Sequence, residues 1–302
     1  MPRPVVHTSL VPPRLASLPR ERAQLEYSSR SIVFAADGSS LLRAWGPPER
    51  PFVLGIEPDG SRWTIRAWGC GPRTARRAAR DLFSLDHPIE EFYRLTRAEP
   101  VLRGTERKFR GLRLPRDANL FEALLHSIVG QQLSVASANA VKRRLLDRYG
   151  TALDADGVEV PVLPSPRALL AAGPDGLRAV GLSRAKSAAL VELARWSAKP
   201  PSLARLGRAP LEAARTELER LRGVGRWTAD NALLRGAGRP DVFVAGDLGV
   251  RVALDRYGVV DRSAPEAEAR AWAERAYPGW GSYATLYLWR RLVTEAATDA
   301  TG

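Results

Sequence analysis

The chain has 302 residues, long enough to bury a core in each of two domains. It carries 46 Lys and Arg against 33 Asp and Glu, a formal net charge of +13, and this excess predicts attraction to a polyanion, with nucleic acid as the first candidate. Only four of the basic residues are Lys, so arginine drift in a GC-rich coding sequence is an alternative source of the charge.

The scarcity of Cys and His excludes several kinds of site. The single cysteine, Cys70, excludes an intramolecular disulfide, a Cys-based zinc site and a four-cysteine iron–sulfur cluster. His7, His87 and His126 are scattered, so neither a His metal cluster nor a His-dependent triad is predicted. There is no apolar run of membrane-spanning length and no signal-peptide core. We therefore expect a soluble intracellular protein without membrane contact.

The first 113 residues divide into a tail and a small domain. Residues 1–25 are rich in Pro and Arg without periodicity, which predicts a flexible basic tail. Two β-hairpins are then indicated by pairs of β-rich runs that flank Asp-Gly turns, namely 31–36 with 41–45, and 51–57 with 62–68. Helices are predicted over 72–84 and 88–98. Residues 26–113 are therefore expected to form an α+β domain of antiparallel strands with helices on one face. Its tryptophans are expected to pack in the core or on the sheet: Trp45, Trp63 and Trp68.

From Leu114 to the C-terminus the pattern is helical. Apolar residues recur at helical spacing between capping residues and glycines. The predicted helices are 120–129, 135–149, 167–172, 174–180, 184–198, 210–221, 227–237, 248–257, one that opens at residues 263–266 and ends near 276, and 281–297. Residues 150–166 contain three prolines and are expected to form a loop, and Ser263 to Glu266 is read as a capping box. The last helix is apolar nearly all round, which predicts a central position.

The segment from Leu221 to Asp247 carries the strongest functional pattern. Gly223 and Gly225 flank Val224 between two predicted helices. Glycine lets the main chain approach a phosphate closely, and the N–H groups at the start of the second helix point at the anion. A helix–hairpin–helix that binds the DNA backbone is therefore predicted, and an ordinary turn between packed helices is the alternative.

Asp247 follows Gly225 by 22 residues and directly precedes a helical run. An Asp in that position is most often an N-cap. The helix N-terminus also favours the ionised carboxylate, which suits it to stabilising a positively charged transition state. The two roles do not exclude each other.

Three sequence runs together carry a family resemblance. LRGVGRWTA, followed by DVFVAGDLGVR and preceded by IVGQQLSVASA, resembles the helix-hairpin-helix (HhH-GPD) DNA glycosylase superfamily, and within it the bacterial 3-methyladenine DNA glycosylase II branch. The resemblance covers about residues 27–297. It implies an α+β N-terminal domain shaped like the TATA-binding protein, then a mostly α, two-lobed glycosylase domain over 114–302 with its hairpin at 210–236.

The resemblance also implies an activity. A protein of this branch excises alkylated purines of the 3-methyladenine type from double-stranded DNA in base excision repair. It flips the damaged nucleotide out, hydrolyses the N-glycosidic bond and leaves an abasic site. We expect a monomer in the bacterial cytoplasm, associated with the nucleoid.

Carried over by position, Asp247 is the catalytic carboxylate, which stabilises the oxocarbenium character of the sugar.

Trp227 occupies the position where members with lyase activity have a lysine that forms a Schiff base, so strand cleavage is not expected. Its ring could instead stack on a cationic base. The expected base pocket is Trp227, Trp280, Asn231 and Tyr283, and core packing is the alternative for both tryptophans. The best-known members differ at Asn231, where they have an aromatic residue, and at Gly246, where they have a second acid.

The resemblance places DNA contacts on two turns. On the hairpin these are Gly223, Val224, Gly225, Arg226 and Thr228. The second turn lies where the family inserts a wedge into the duplex, and it comprises Gln131, Gln132, Leu133 and Ser134. Gln132 is the first candidate for the wedge, and Leu133 the second unless it packs in the core. The family also implies a monovalent cation, K⁺ or Na⁺, on the main-chain carbonyls of Leu221 and Val224. No other cofactor, iron–sulfur cluster or zinc is expected.

Two other functions remain open at this point. A bifunctional glycosylase/lyase for oxidised guanine would need an amine near Asp247, and the nearest lysine in sequence, Lys199, precedes it by 48 residues. A non-enzymatic DNA-binding module would use the hairpin for backbone contact alone, and Asp247 would then be dispensable.

Overall fold

The structure is a computed structural model that describes residues 5–13, 16, 34–37, 40–198, 206 and 208–299, with side chains up to Glu295. Its N-terminal part is a five-stranded antiparallel sheet with the strand order β1-β5-β4-β3-β2. The strands are β1 (Val5–Leu10), β2 (Phe34–Asp37), β3 (Ser40–Trp45), β4 (Phe52–Asp59) and β5 (Arg62–Trp68). Both predicted hairpins are present as β2–β3 and β4–β5, although residues 31–33 of the first lie outside the described part.

Strand β1 corrects the expectation of a flexible tail over residues 1–25. Val5–Leu10 pairs antiparallel with β5 from Trp68 back to Trp63, and Leu10 is buried. The run VVHTSL has the β-branched content of a strand. Pro-rich flanks obscured this pattern, and its partner lies more than fifty residues away in sequence. The small domain therefore starts at Val5, and most of the remaining tail, including residues 1–4 and 17–25, lies outside the described residues.

The sheet packs on both faces. Helix α1 (Pro72–Leu82) covers one face, where Trp63 meets Phe83 edge to face at 5.5 Å. A second hairpin, β6 (Thr151–Ala155) with β7 (Val158–Val162), packs on the other face. The tryptophans predicted in this region are buried there: Trp45, Trp63 and Trp68.

The β6–β7 hairpin corrects the loop predicted over 150–166. Its turn is Asp156-Gly157, both with positive φ, which is a hairpin signal that the neighbouring prolines outweighed in the sequence analysis. Pro161 is accommodated opposite Ala152 because the two-stranded ribbon has a free edge. Trp68 Nε1 donates to Asp156 Oδ1 at 3.0 Å, which ties this hairpin to the sheet. The C-terminal domain is therefore mostly, but not entirely, helical.

The helical part begins earlier than residue 114. Helix α2 (Ile89–Ala98) packs in the core of the C-terminal helices, where Phe92 lies 5.0 Å from the ring of Tyr287. The first core ends with Leu85, so the domain boundary lies near residues 86–88 instead of 113. Helical periodicity alone could not show which neighbour the apolar face of α2 contacts.

The remaining helices follow the sequence prediction closely, except for the short helix over Thr105–Lys108, which was not predicted. They are α3 (Thr105–Lys108), α4 (Leu120–Gly130), α5 (Val135–Tyr149), α6 (Pro166–Ala179, kinked at Gly173), α7 (Arg184–Ser197), α8 (Leu211–Glu219), α9 (Arg226–Ala232, continued by a π-helical turn over Leu233–Ala237), α10 (Leu248–Arg256), α11 (Glu266–Ala276) and α12 (Gly281–Asp299). No helix within the described ranges is both long enough and apolar enough to span a membrane.

Two details of the helical prediction are wrong. The capping box at Ser263 is absent, because α11 begins after Pro265 and the Ser263 hydroxyl donates to Asp261. Helix α12 is central only in its first half, since Leu288 is buried while Val293 is 51% exposed.

A buried ion pair joins the sheet to the helical domain. Arg43 on β3, 2% exposed, contacts the Glu122 carboxylate in the first turn of α4. Asn119 caps the same helix by accepting from Glu122 N at 2.9 Å, and its amide donates to Gly46 O at 2.9 Å. Both contacts fix the start of α4 against the sheet.

We expect Arg43→Met to destabilise the protein by about 3–5 kcal/mol, because it leaves the Glu122 carboxylate buried without its cation. Urea unfolding monitored by circular dichroism measures the change. The matched control is Arg80→Met, which removes an arginine paired with Asp86 at the surface and should cost less than about 1 kcal/mol. Equal effects of the two substitutions would contradict a structural role for the buried pair.

Candidate active site

The hairpin between α8 and α9 has the geometry that its glycines predict. Val224 N donates to Leu221 O at 3.0 Å, and Gly223 has φ +81°, a conformation that favours glycine. A Cβ on Gly223 would lie 2.7 Å from the Ala189 Cβ of α7, so a side chain is also excluded by space. Val224 is buried, whereas Gly225 is exposed and its Cβ position is open. The hairpin is therefore anchored through Val224 and presents main chain at Gly225.

Ion pairs fix α8 against α9. Arg215 Nε lies 2.5 Å from Asp230 Oδ1, and both residues are buried. Burial raises the pKa of Asp230, and the Arg215 guanidinium opposes this shift. Arg226, a predicted DNA contact, donates to the Glu212 carboxylate at 3.0 Å. The Glu212 carboxylate thus neutralises part of the positive charge of Arg226.

Three donors hold the Asp247 carboxylate. Trp227 Nε1 donates to Oδ2 at 3.1 Å, and Trp289 Nε1 donates to Oδ1 at 2.8 Å. Val250 N, in the first turn of α10, donates to Oδ1 at 3.2 Å, so Asp247 is also the N-cap of that helix. Hydrogen bonds to an ionised acceptor are strong and directional, and here they fix both oxygens of a half-buried carboxylate.

Sequence analysis did not identify Trp289 as a site residue. It lies in the last helix, which is apolar nearly all round, and an indole in such a helix gives no local sign that its N–H reaches a carboxylate 42 residues earlier in the chain. Gly249 was also not singled out. A Cβ there would lie 3.2 Å from Asp247 Oδ1 and 3.3 Å from Trp289 Cδ1, so glycine leaves room for their contact.

At Gly246, where the family resemblance implies a second acid, another carboxylate is nearby. A Cβ on Gly246 would lie 2.7 Å from Glu266 Oε1. Glu266 begins α11 and pairs with Arg270 at 3.5 Å. The space beside Gly246 is therefore occupied by an acid from a different helix.

The residues predicted to form the base pocket separate into two groups. Trp227 contacts Asp247, and Asn231 on the next turn donates to Trp227 O at 3.0 Å and is buried. The Asn231 amide is therefore bonded to the main chain of its own helix. Trp280 and Tyr283 instead contact each other edge to face at 5.2 Å.

Tyr283 is fully buried and packs with Trp280 around Phe92 of α2. Its hydroxyl lies 3.0 Å from His87 Nδ1. Burial, together with Arg116 and Arg113, lowers the pKa of His87 to about 4, so the imidazole is neutral at pH 7 and Nδ1 can accept from the hydroxyl. In this conformation Tyr283 supports Trp280 and is not exposed to a ligand.

The turn between α4 and α5, which we call the wedge turn (residues 131–134), exposes the predicted wedge residues. Gln132 is exposed with φ +53°, and Leu133 is 41% exposed, so Leu133 is not a core residue. Ser134 caps α5 by accepting from Ser137 N at 3.1 Å.

Gln131, also a predicted DNA contact, is directed inward. Its Nε2 donates to Gly223 O at 2.8 Å and to Thr228 Oγ1 at 2.9 Å. Thr228 is itself buried, so its side chain faces Gln131 and not the surface.

One group of possible metal ligands occurs among the described residues: Asp117, Glu122 and His126 lie within 4.8 Å of one another and are buried. The sequence did not predict this group, because the spacing of the three residues matches no metal-binding motif. Because Arg43 contacts the same Glu122 carboxylate, the group forms part of the interdomain ion pair. The cation expected on the carbonyls of Leu221 and Val224 remains a prediction.

Comparison with known proteins agrees with this geometry. Residues 125–278 match the family described as HhH-GPD superfamily base excision DNA repair protein. The chain is 31% identical over 215 residues to the DNA-3-methyladenine glycosylase of Bacillus subtilis (strain 168), covering 70% of this chain and 69% of that protein. It is 36% identical over 179 residues to DNA-3-methyladenine glycosylase 2 of Escherichia coli (strain K12), covering 59% of this chain and 60% of that one.

A solved structure shows the same architecture. The 3-methyladenine DNA-glycosylase from Archaeoglobus fulgidus superposes with a TM-score of 0.82 at 25% identity. The alignment covers 94% of this chain and 98% of that one, so the similarity includes the N-terminal sheet.

We expect Gly223→Ala to destabilise the protein by about 1–3 kcal/mol, because alanine at positive φ is strained and its Cβ would contact Ala189. Thermal unfolding measures this loss. Gly225→Ala is the matched control, since φ is −97° and its Cβ position is open, and its stability should change by less than about 0.5 kcal/mol. Similar losses for both variants would show that the hairpin is not held against α7 as described.

Proposed function

Because this chain belongs to the HhH-GPD superfamily of base excision DNA repair proteins, we propose that it is a monofunctional glycosylase that hydrolyses the N-glycosidic bond of alkylated purines in duplex DNA. The two curated relatives at 31% and 36% identity are both named DNA-3-methyladenine glycosylases, which supports this substrate class. The observation that carries the proposal is the Asp247 carboxylate, half-buried and held by two indole N–H groups.

Asp247 is proposed to stabilise the positive charge that develops on the deoxyribose. As the C1′–N bond breaks, its electron pair leaves with the base and the sugar acquires oxocarbenium character. A fixed carboxylate stabilises this charge more than water does because its orientation needs no reorganisation. Water then adds to C1′ and loses a proton, which leaves an abasic site.

An alkylated purine suits a site of this kind. Its base is cationic, so bond cleavage neutralises the leaving group and no strong general acid is required. The half-buried Trp227 offers an aromatic face that would attract a cationic ring. Trp280, buried next to Phe92, is proposed as the second aromatic of the pocket, with Tyr283 behind it.

The placement of the lysines supports hydrolysis without strand cleavage. A lyase needs an amine that attacks C1′, and no lysine contacts Asp247 within the described part of the chain. Lys186 Nζ donates to Gln131 O at 2.6 Å, Lys142 is buried, and Lys108 lies over the Phe109 ring. Lys199 lies outside the described residues.

The hairpin is proposed to bind one DNA strand through main-chain amides at Gly223 and Gly225. Such contacts to phosphate position the protein without reading sequence. The expected cation on the carbonyls of Leu221 and Val224 would add positive charge at the same turn.

We expect Asp247→Asn to lower excision by about 10²- to 10³-fold, the size of effect seen when one preorganised electrostatic group is lost. Single-turnover base release is measured from duplexes that each carry one lesion, with 7-methylguanine, hypoxanthine and ethenoadenine in the panel. Affinity for undamaged duplex should not fall, because Asp247 is not part of the hairpin. Unchanged excision would exclude Asp247 as the catalytic group.

The same reactions test the monofunctional assignment. The wild-type product should be an intact abasic strand that breaks only after alkali treatment, and borohydride should trap no covalent adduct. A trapped adduct, or strand breaks without alkali, would identify a lyase.

We expect Trp289→Phe to slow excision by about 10- to 100-fold, which corresponds to the loss of one hydrogen bond to a charged group. The ring is retained, so the effect reports on the N–H that donates to Asp247 Oδ1. Trp272→Phe is the matched control, because that indole contacts Phe243 and Tyr277 edge to face and is not bonded to Asp247. Excision by this control should stay within about twofold of wild type, and an equal loss in both variants would count against the specific role of Trp289.

A further inference from the structure

The wedge turn and the hairpin are bonded to each other, although 92 residues separate them in sequence. The contact is the side-chain amide of Gln131, which donates to Gly223 O on the hairpin and to Thr228 Oγ1 in the first turn of α9. One amide therefore reaches both the turn and the helix that form the predicted phosphate site.

Lys186 also holds the wedge turn. Its Nζ donates to Val129 O at 2.9 Å and to Gln131 O at 2.6 Å, both at the C-terminal end of α4. A cation at this end of a helix satisfies carbonyls that have no partner within the helix and interacts favourably with the helix dipole. The main chain of Gln131 is thus fixed by Lys186 while its side chain is fixed by the hairpin.

Helix α7 completes the connection. It carries Lys186 and, one turn later, Ala189, which packs directly on Gly223. The wedge turn, the hairpin and α7 therefore contact one another in three pairs, and movement of one requires movement of the others.

The exposed wedge candidate is held in an uncommon conformation. Gln132 has φ +53°, which for a residue other than glycine is found mainly where the surrounding structure imposes it. Its neighbours supply that constraint. Leu133 N donates to Gly130 O at 3.2 Å, and Gln131 is hydrogen-bonded through its side chain to Gly223 and through its main-chain oxygen to Lys186. These hydrogen bonds fix the conformation of the turn within the protein itself.

We propose that Gln131 and Lys186 are positioning residues that join the wedge turn and the hairpin into one rigid unit. When the hairpin binds the phosphate, the wedge turn is then placed correctly for insertion into the duplex. This proposal rests on the function proposed above. Extruding a nucleotide costs a few kcal/mol, and a wedge whose conformation is fixed by hydrogen bonds within the protein loses less conformational entropy on insertion.

The test is Gln131→Met, which keeps the length of the side chain and removes both donated hydrogen bonds. Single-turnover excision is compared for one lesion in two settings, paired in a stable duplex and opposite a mismatched base. We expect a loss of about 10-fold for the paired lesion and less than about threefold for the mismatched one, because a mismatched base needs little help to leave the stack. A general structural defect would lower both rates by the same factor.

A double-mutant cycle with Gln132→Ala identifies the residue through which Gln131 acts. If Gln131 works through the wedge, the double variant should be no slower on the paired lesion than the slower single variant; independent roles would multiply the losses.

Lys186→Met should show the same dependence on pairing as Gln131→Met. Arg144→Met is the matched control for it, because Arg144 Nε donates to Val180 O at 2.8 Å at a different helix end.

The outcomes separate this proposal from the proposed function. If the wild-type protein excises neither the paired nor the mismatched lesion, the glycosylase assignment fails. If it excises both, and Gln131→Met loses equally on both or loses nothing, the coupling fails while the assignment stands. Circular dichroism, with a spectrum expected to match that of the wild type, confirms that the variant is folded.

Discussion

The site depends on how the Asp247 carboxylate is held. A carboxylate that is half removed from water needs donors for its oxygens, and here they come from three separate helices: Trp227 of α9, Trp289 of α12 and the first turn of α10. The three helices must therefore be placed correctly relative to one another before the site exists. The Arg215–Asp230 pair fixes α9, and the aromatic packing of α2 on the buried half of α12 fixes the helix that carries Trp289.

Helix α4 connects the N-terminal sheet to the wedge turn. It is buried from Leu120 to Val129, and each end is held by a cation, Arg43 from the sheet at its start and Lys186 from α7 at its end. The sheet therefore fixes the helix that leads into the wedge turn.

The basic charge is a weaker guide to function than the hairpin. Arg43, Arg215 and Arg239 pair with acids inside the protein, and Arg226 is partly neutralised by Glu212, so the net charge of +13 does not map directly onto a DNA surface. The glycine hairpin followed by an N-capping Asp indicates the family, and the match over residues 125–278 shows that the chain belongs to it.

The sequence by itself determined the local features: most helix bounds, the two hairpins of the sheet, the hairpin glycines, and Asp247 as an N-cap. Each depends on residues close together in the chain, where periodicity, caps and turn chemistry are informative. Only the tertiary structure decided that Val5–Leu10 is a strand, that α2 belongs to the helical core, that Trp289 reaches Asp247, and that Gln131 turns inward to Gly223. These contacts join residues 42 to 92 positions apart in the site, and more than fifty apart for the first strand. No local pattern encodes which distant partner a strand edge, an apolar face or an indole N–H will meet, because that is settled when the cores pack.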